Sequence, residues 1–287
     1  MSEINRRFLN AVERMPAFPK SVHQVMALTS NINCSQKQLV EVIRLDPVFT
    51  LKILKLVNSA FFGLAREVTS IHQASVYLGL NTLKNVALGL AAIGVFPRDN
   101  PAGLDMDAFW LHSLAVATAT RMLGEQIGVP HDEVTDYFAG GLLHDVGKMV
   151  FALYMPGEFR QALDIAAREG RRLLDVEVQV FGVSHAELGA VLARKWNLPK
   201  NLAVCLADHH APRAAEGQPL VDCCFAANQV VKRIGVGAAG DKVVEDLPEG
   251  VRQRFSTDVA GLVAALPDLP VEIDKARVFV RLGEDVA

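Results

Sequence analysis

No surplus of charge of either sign runs through this sequence, whose 29 basic and 32 acidic residues are interspersed over 287 positions for a formal net charge of −3. Without a basic face, nothing draws a phosphate backbone or an anionic lipid surface electrostatically, so neither nucleic acid nor membrane is an expected partner. Long apolar runs are missing too. The most apolar stretch, around Val86 to Phe96, falls short of the ~20 residues that span a bilayer. The polar start Met1-Ser-Glu-Ile-Asn-Arg-Arg7 leads into no signal-peptide core, and a cytoplasmic location is expected. The four cysteines, Cys34, Cys205, Cys223 and Cys224, form no CxxC pair, so reduced and mostly buried thiols are expected rather than a zinc site. Absent as well are period-two alternations bracketed by hairpin turns, solenoid-length repeats and low-complexity tracts. Strand content should be close to nil.

What is present is an apolar content of 51%, enough for a packed core, and a dense series of helix start and stop signals. Asp46-Pro47 offers a cap acceptor followed by a proline at the first helical position, with Phe49, Ile53, Leu54 and Val57 at helical spacing behind it. Ser70-Ile-His-Gln73 and Ser184-His-Ala-Glu187 read as capping boxes, and Gly79 as a stop. Further helices are expected from Asp107 to about Ile127, Asp132 to Phe151, Pro156 to Gly170, Pro219 to Gly235 and Val271 to Leu282. The fold class is therefore all-α. The loop-forming run Arg98-Asp-Asn-Pro-Ala-Gly-Leu-Asp105 suggests two packed helical subdomains, 1–97 and 105–236, followed by an extension, 237–287.

In the amino-terminal half the distinctive residues read as structural. Asn58-Ser59 ends a helix, and Phe61-Phe62-Gly63 supplies aromatic packing and a turn. Lys52, Lys55 and Arg66 read as a small solvated basic face.

The residues that carry chemistry are His112, His144, Asp145, His185, His209 and His210, six metal-type ligands within one hundred positions that use five of the eight histidines. His144-Asp145, expected on a helix, pairs an imidazole with a carboxylate, a donor set for a hard or borderline cation. Lys148, three residues on, is placed to hold a phosphate oxygen or to pair with the carboxylate. Taken singly, each histidine is more readily a capped or hydrogen-bonded core residue than a ligand. His23, His72 and His131 read as surface or packing residues.

Order and spacing change this balance. A helical His, then His-Asp-x-Gly-Lys, then His185-Ala-Glu-Leu-Gly189, then His209-His210 resembles the HD and HD-GYP phosphohydrolases. That resemblance implies divalent ions activating water against a phosphoester. The chain resembles the HDOD family more closely still. Pro16-Ala-Phe-Pro19, Leu56-Val-Asn-Ser-Ala-Phe-Phe-Gly63, Leu78-Gly-Leu-Asn-Thr-Leu83, Phe181-Gly-Val-Ser-His-Ala-Glu-Leu-Gly189 and Trp196-Asn-Leu-Pro199 follow in the family's order over roughly residues 10 to 236. This implies a second subdomain like the HD helical bundle and a signalling output or adaptor role through partner proteins or a nucleotide ligand. Two departures count against catalysis. Where the HD pattern has a further aspartate, Phe225-Ala-Ala-Asn228 offers an amide, with Asp222 as an alternative oxygen donor if the helix register differs. The Gly-Tyr-Pro segment of cyclic di-GMP phosphodiesterases is also absent after His210. The expectation is a non-catalytic signalling module in which these six residues form a structural site for iron, manganese or zinc, a nucleotide sensor or a packed hydrogen-bonded cluster. A metal-dependent phosphohydrolase with Lys148 on the phosphate is the alternative.

Overall fold

The computed structural model describes residues 3–29, 35–212 and 218–284, and every regular element among them is a helix. The first third comprises α1 (Glu3–Arg14), α2 (Lys20–Thr29), α3 (Gln36–Arg44), α4 (Pro47–Val57) and α5 (Ile71–Gly94). The middle comprises α6 (Met106–Gln126), α7 (Val134–Leu143), α8 (Lys148–Tyr154), α9 (Pro156–Glu169), α10 (Leu173–Phe181), α11 (His185–Lys195), α12 (Lys200–Asp208) and α13 (Pro219–Ile234). After an irregular stretch come α14 (Glu249–Phe255), α15 (Val259–Ala265), α16 (Leu269–Ala276) and α17 (Val278–Glu284).

Local chemistry sets most boundaries. Asp46, Asp105 and Ser184 each accept a hydrogen bond from the amide three residues on, satisfying a donor that the first helical turn leaves unpaired. Ser184 and Glu187 complete both halves of a capping box. Ser70 caps the Gln73 amide, but the Gln73 side chain returns to the Thr69 amide, so that box is one-sided. Gly79 breaks α5 with φ of +78°, a conformation disfavoured by a side chain, and the helix resumes immediately after it.

Three expectations are corrected. His144 and Asp145 lie not on a helix but in a tight turn, residues 144–147, that separates α7 from α8. In this turn the Val146 and Lys148 amides bond to carbonyls three residues back. The final helix expected over Val271 to Leu282 is two, α16 and α17, divided at Arg277. Lys52 is buried rather than solvated, and its ammonium donates to the Gly283 carbonyl at the end of the chain, 3.2 Å away. Lys55 and Arg66 are exposed. Cys205, Cys223 and Cys224 are buried and form no disulfide, whereas Cys34 lies outside the described residues.

One continuous apolar cluster runs from Phe8 to Leu282. α6 packs along α7 and α13, and α5 links α2–α4 to α7 and α17. The chain's first segment reaches across the middle one. Lys195 donates to the carbonyls of Val12, Glu13 and Met15, and Phe18 stacks on fully buried Trp196 at 4.4 Å between centroids. The indole N–H of Trp196 donates to the Pro16 carbonyl at 3.1 Å. The Pro-Ala-Phe-Pro and Trp-Asn-Leu-Pro segments thus meet in one joint. α5 alone among the described helices is long and apolar enough to cross a membrane; 67% of its apolar window is buried in the core, and Gly79 interrupts it.

Candidate metal centre

The helices deliver the six candidate ligands to one place. His112 projects from the middle of α6, and the 144–147 turn supplies His144 and Asp145. His185 opens α11, while His209 and His210 follow the end of α12. What brings α11 against the turn is Gly147. A Cβ there would lie inside the van der Waals shell of the His185 carbonyl oxygen and 2.7 Å from the Gly189 nitrogen, so only hydrogen fits.

Asp145 is the hub. Its Oδ1 lies 3.1 Å from His185 Nε2 and 3.7 Å from His209 Nε2, and His210 Nε2 is 3.0 Å from His185 Nε2. Its Oδ2 faces His144 Nε2 at 3.3 Å and His112 Nε2 at 4.0 Å, and accepts a 2.7 Å hydrogen bond from the Lys148 ammonium. Two donor sets therefore share this carboxylate: Asp145, His185, His209 and His210, and Asp145, His112 and His144. Five of the six residues are buried, and His210 is partly exposed.

The outer ring atoms fix which nitrogens face inward. His144 Nδ1 lies 2.7 Å from the Gly141 carbonyl and His209 Nδ1 lies 3.0 Å from the Leu206 carbonyl. Each Nδ1 must donate there, leaving an Nε2 lone pair turned toward Asp145. Behind His185 stands Glu177, fully buried, accepting from both Nδ1 (2.6 Å) and the His185 amide (2.8 Å). Lone pairs facing lone pairs across 3.0–3.7 Å repel unless a cation or a proton lies between them. Ligands ~2.1 Å from one ion stand about 3.0 Å apart at a right angle and about 3.4 Å apart at the tetrahedral angle, so these spacings match the edges of a coordination shell. His112 Nε2, His144 Nε2 and Asp145 Oδ1 are buried without a hydrogen-bond partner, which further suits a cation.

Electrostatics favour neutral rings at His112, His209 and His210 and a charged Asp145 carboxylate. Burial pushes His112 down to about 3, with His144 and Lys148 acting in the same direction against Asp145. Burial likewise lowers His209 to about 3 against the Asp145 hydrogen bond. Burial also pushes the Asp145 carboxyl up, but His144 and Lys148 outweigh it and hold it well below the usual range. His185 moves the other way: burial lowers it, yet Glu177 and Asp145 raise it overall. The two sides of Asp145 are not equivalent. Lys148 already places a positive charge beside Oδ2, which leaves the Oδ1 side, with three imidazoles, as the better seat for an ion.

Asp222 does not join the cluster; it is buried and accepts from Arg254 Nε at 2.7 Å. Asn228 is also buried, with its carbonyl oxygen unpartnered. Two contributors escaped the sequence reading. Glu177 carried a usable signal, since it falls on the apolar face of α10 with Leu173, Val176 and Phe181, where an unpaired carboxylate is costly. The other is Ala239, whose carbonyl accepts from Lys148 at 2.8 Å and which sits in a stretch without periodicity.

A model of the HDOD domain matches residues 15–212. The chain belongs to the HDOD family. An HDOD domain protein of unknown function from Geobacter sulfurreducens superposes with a TM-score of 0.77 at 26% identity, over 96% of each chain. A Shewanella amazonensis SB2B protein named as a proposed phosphohydrolase shares the fold at a TM-score of 0.69 and 24% identity, over 98% of each chain. An uncharacterized protein of Treponema pallidum (strain Nichols) is 25% identical over 252 residues, and this HDOD chain, aligned over 85% of its own length, spans 46% of that relative. All six candidate ligands fall inside the matched HDOD segment, and Ala239 lies beyond it.

Because Glu177 fixes the His185 ring and raises its basicity, Glu177→Gln should weaken metal retention by ~10–100-fold in a chelator competition. Retention equal to that of the parent protein would remove Glu177 from this role.

Proposed function

We propose that this chain is a signalling output module that acts through protein partners or a nucleotide ligand. In this reading the histidine–aspartate centre holds one divalent ion (iron, manganese or zinc) for sensing or structure, not for turnover. The observation that carries the reading is the closure of the centre around Lys148. A hydrolase must bring a phosphate and a water to the metal edge, with the lysine free to meet the phosphate. Here Lys148 is 3% exposed, and its ammonium is engaged by Asp145 and by the Ala239 carbonyl. The amide at Asn228, where the HD pattern has an acid, removes one anionic ligand. For a protein partner, Val48 and Leu51 stand exposed at helical spacing on α4, with exposed Leu45 just before it, apolar surface of the kind buried on association.

The phosphohydrolase alternative is favoured by the donor set itself, which retains five imidazoles and a carboxylate at coordination distances. Elemental analysis together with hydrolysis of bis-(p-nitrophenyl) phosphate and cyclic dinucleotides separates the two. The proposal expects about one ion per chain, lost in His185→Ala and Asp145→Ala, and no hydrolysis above the level of those variants. Metal-dependent turnover abolished by the same substitutions would establish the hydrolase. Protein that takes up no ion would reduce the centre to hydrogen-bonded packing.

A further inference from the structure

Two signature segments, 56–63 and 78–83, contribute nothing to the metal centre, yet both help to wall a cavity of about 270 Å³. It lies at the break in α5, where Tyr77 lines it from before Gly79 and Asn85 from after it. Phe61 reaches it from the loop after α4, Arg121 from α6, Phe138 from α7 and Phe279 from α17. The three phenylalanine rings stand 4.9–5.2 Å apart between centroids, at interplanar angles of 38–84°, and so present both ring faces and ring edges. Exposed Tyr77 and Glu125 mark the side that opens to solvent.

Two polar atoms of the lining residues lack partners. Asn85 donates from Nδ2 to Asp136 Oδ1 at 2.6 Å and to Thr135 Oγ1 at 3.0 Å. A carboxylate only accepts, which fixes the orientation of the amide and leaves Asn85 Oδ1 buried and unpaired. Arg121 engages Glu125 through Nη1 and Glu272 through Nη2, and its Nε is likewise buried and unpaired. One spare acceptor and one spare donor beside aromatic walls are what a small-molecule site offers. The guanidinium charge is already met by two carboxylates, so nothing here attracts an anion. Since an apolar cavity of about 150 Å³ accepts benzene, about 270 Å³ has room for two fused rings.

We propose that this cavity is the seat of an uncharged planar heterocycle of purine size, with an N–H directed to Asn85 Oδ1 and an acceptor directed to Arg121 Nε. Neither atom is open to solvent. Phe61, half-buried and 5.9 Å over the Arg121 guanidinium, is the ring that yields to an entering ligand, which then packs against Phe138 and Phe279. Exposed Glu125 opposes a phosphate at the mouth, so the free base is the occupant rather than its nucleotide. The seat uses none of the metal-type ligands, and it stands or falls apart from the function proposed above.

Hypoxanthine, whose ring N–H adjoins a carbonyl, is the probe. Indole, which has the N–H but no such acceptor, and inosine monophosphate are the comparisons. Calorimetry on the full chain should show hypoxanthine binding at least ~10-fold more tightly than either. Arg121→Lys keeps the charge and removes the Nε donor, and should weaken hypoxanthine about 10-fold while leaving indole unchanged. Leu64→Trp fills the cavity from its half-buried loop position and should abolish binding of both. In the parent protein, hypoxanthine should also slow hydrogen exchange around the Gly79 break and in the first turn of α7, with α9 unaffected. The proposal is overturned by inosine monophosphate binding more tightly than hypoxanthine, or by hypoxanthine affinity that survives either substitution. Unprotected amides at millimolar hypoxanthine would sink it equally.

Discussion

Gly147→Ala should cost this protein more than about 4 kcal/mol of stability, most of what a domain of this kind has in reserve. The methyl group would collide with the His185 carbonyl oxygen, and it would also sit 2.7 Å from the Gly189 nitrogen and 2.9 Å from the His185 carbonyl carbon. All three are backbone atoms, which no change of rotamer can move. Relief requires α11 to retreat from the 144–147 turn, and His185 opens that helix. Ordinary overpacking of a core costs ~1–3 kcal/mol because side chains give way; here a helix and a metal-type ligand must give way instead. Gly157→Ala is the control. Gly157 lies in the first turn of α9, where an added Cβ meets nothing within 4 Å, and alanine there should be neutral or stabilising by up to about 1 kcal/mol. Urea denaturation of the two variants gives the comparison, with metal content measured alongside. A Gly147→Ala protein that melts with the parent and keeps its ion would show that the close approach of α11 is not what assembles the centre.

That glycine illustrates what the sequence could and could not convey. Caps and stops at Asp46, Ser184, Gly170 and Gly235 were legible because their chemistry is local: a side-chain oxygen three residues from an amide, or a glycine in the left-handed region. The all-α class followed directly. The break at His144 was not legible. Val134 to Tyr154 has the composition of one buried helix, and the turn exists because α11, forty residues on, packs against Gly147. Lys52 was misread for the same reason. Its position beside Lys55 suggests a wet face, yet its ammonium meets Gly283, 231 residues away.

The site was legible in its residue types and order, not in its wiring. His112, His144, Asp145, His185, His209 and His210 stand together, and the distances around Asp145 divide them into a side open to an ion and a side held by Lys148. That division depends on Ala239 and on the pair Glu177–His185, both tertiary. Only the latter had a mark in the sequence, a carboxylate on an apolar helical face.

The buried imidazoles also predict how the chelator-treated protein responds to acid. His112 and His209 have folded values near 3 against an unfolded value of about 6.5, so the unfolded chain takes up a proton that each folded ring refuses. Their contribution to stability is complete above pH 6.5 and is lost as pH falls toward 3. Each approaches a loss of about 1.4 kcal/mol per pH unit once pH is well below 6.5, so between pH 6.5 and 5 the pair removes about 3 kcal/mol. His210, also lowered by burial, acts in the same direction. His185 opposes them, since its folded value is raised; its contribution is complete below pH 6.5 and fades only as pH rises through that folded value. Asp145 does not enter this window, because a depressed carboxyl loses its contribution only below about pH 4. Urea midpoints should therefore fall steeply from pH 6.5 to 5 with the slope of one to two protons, and His112→Gln should reduce that slope by about one. A midpoint that stays flat over this range would mean that the rings are protonated or hydrated in the folded chain. A centre of neutral lone pairs facing Asp145 would then be the wrong description.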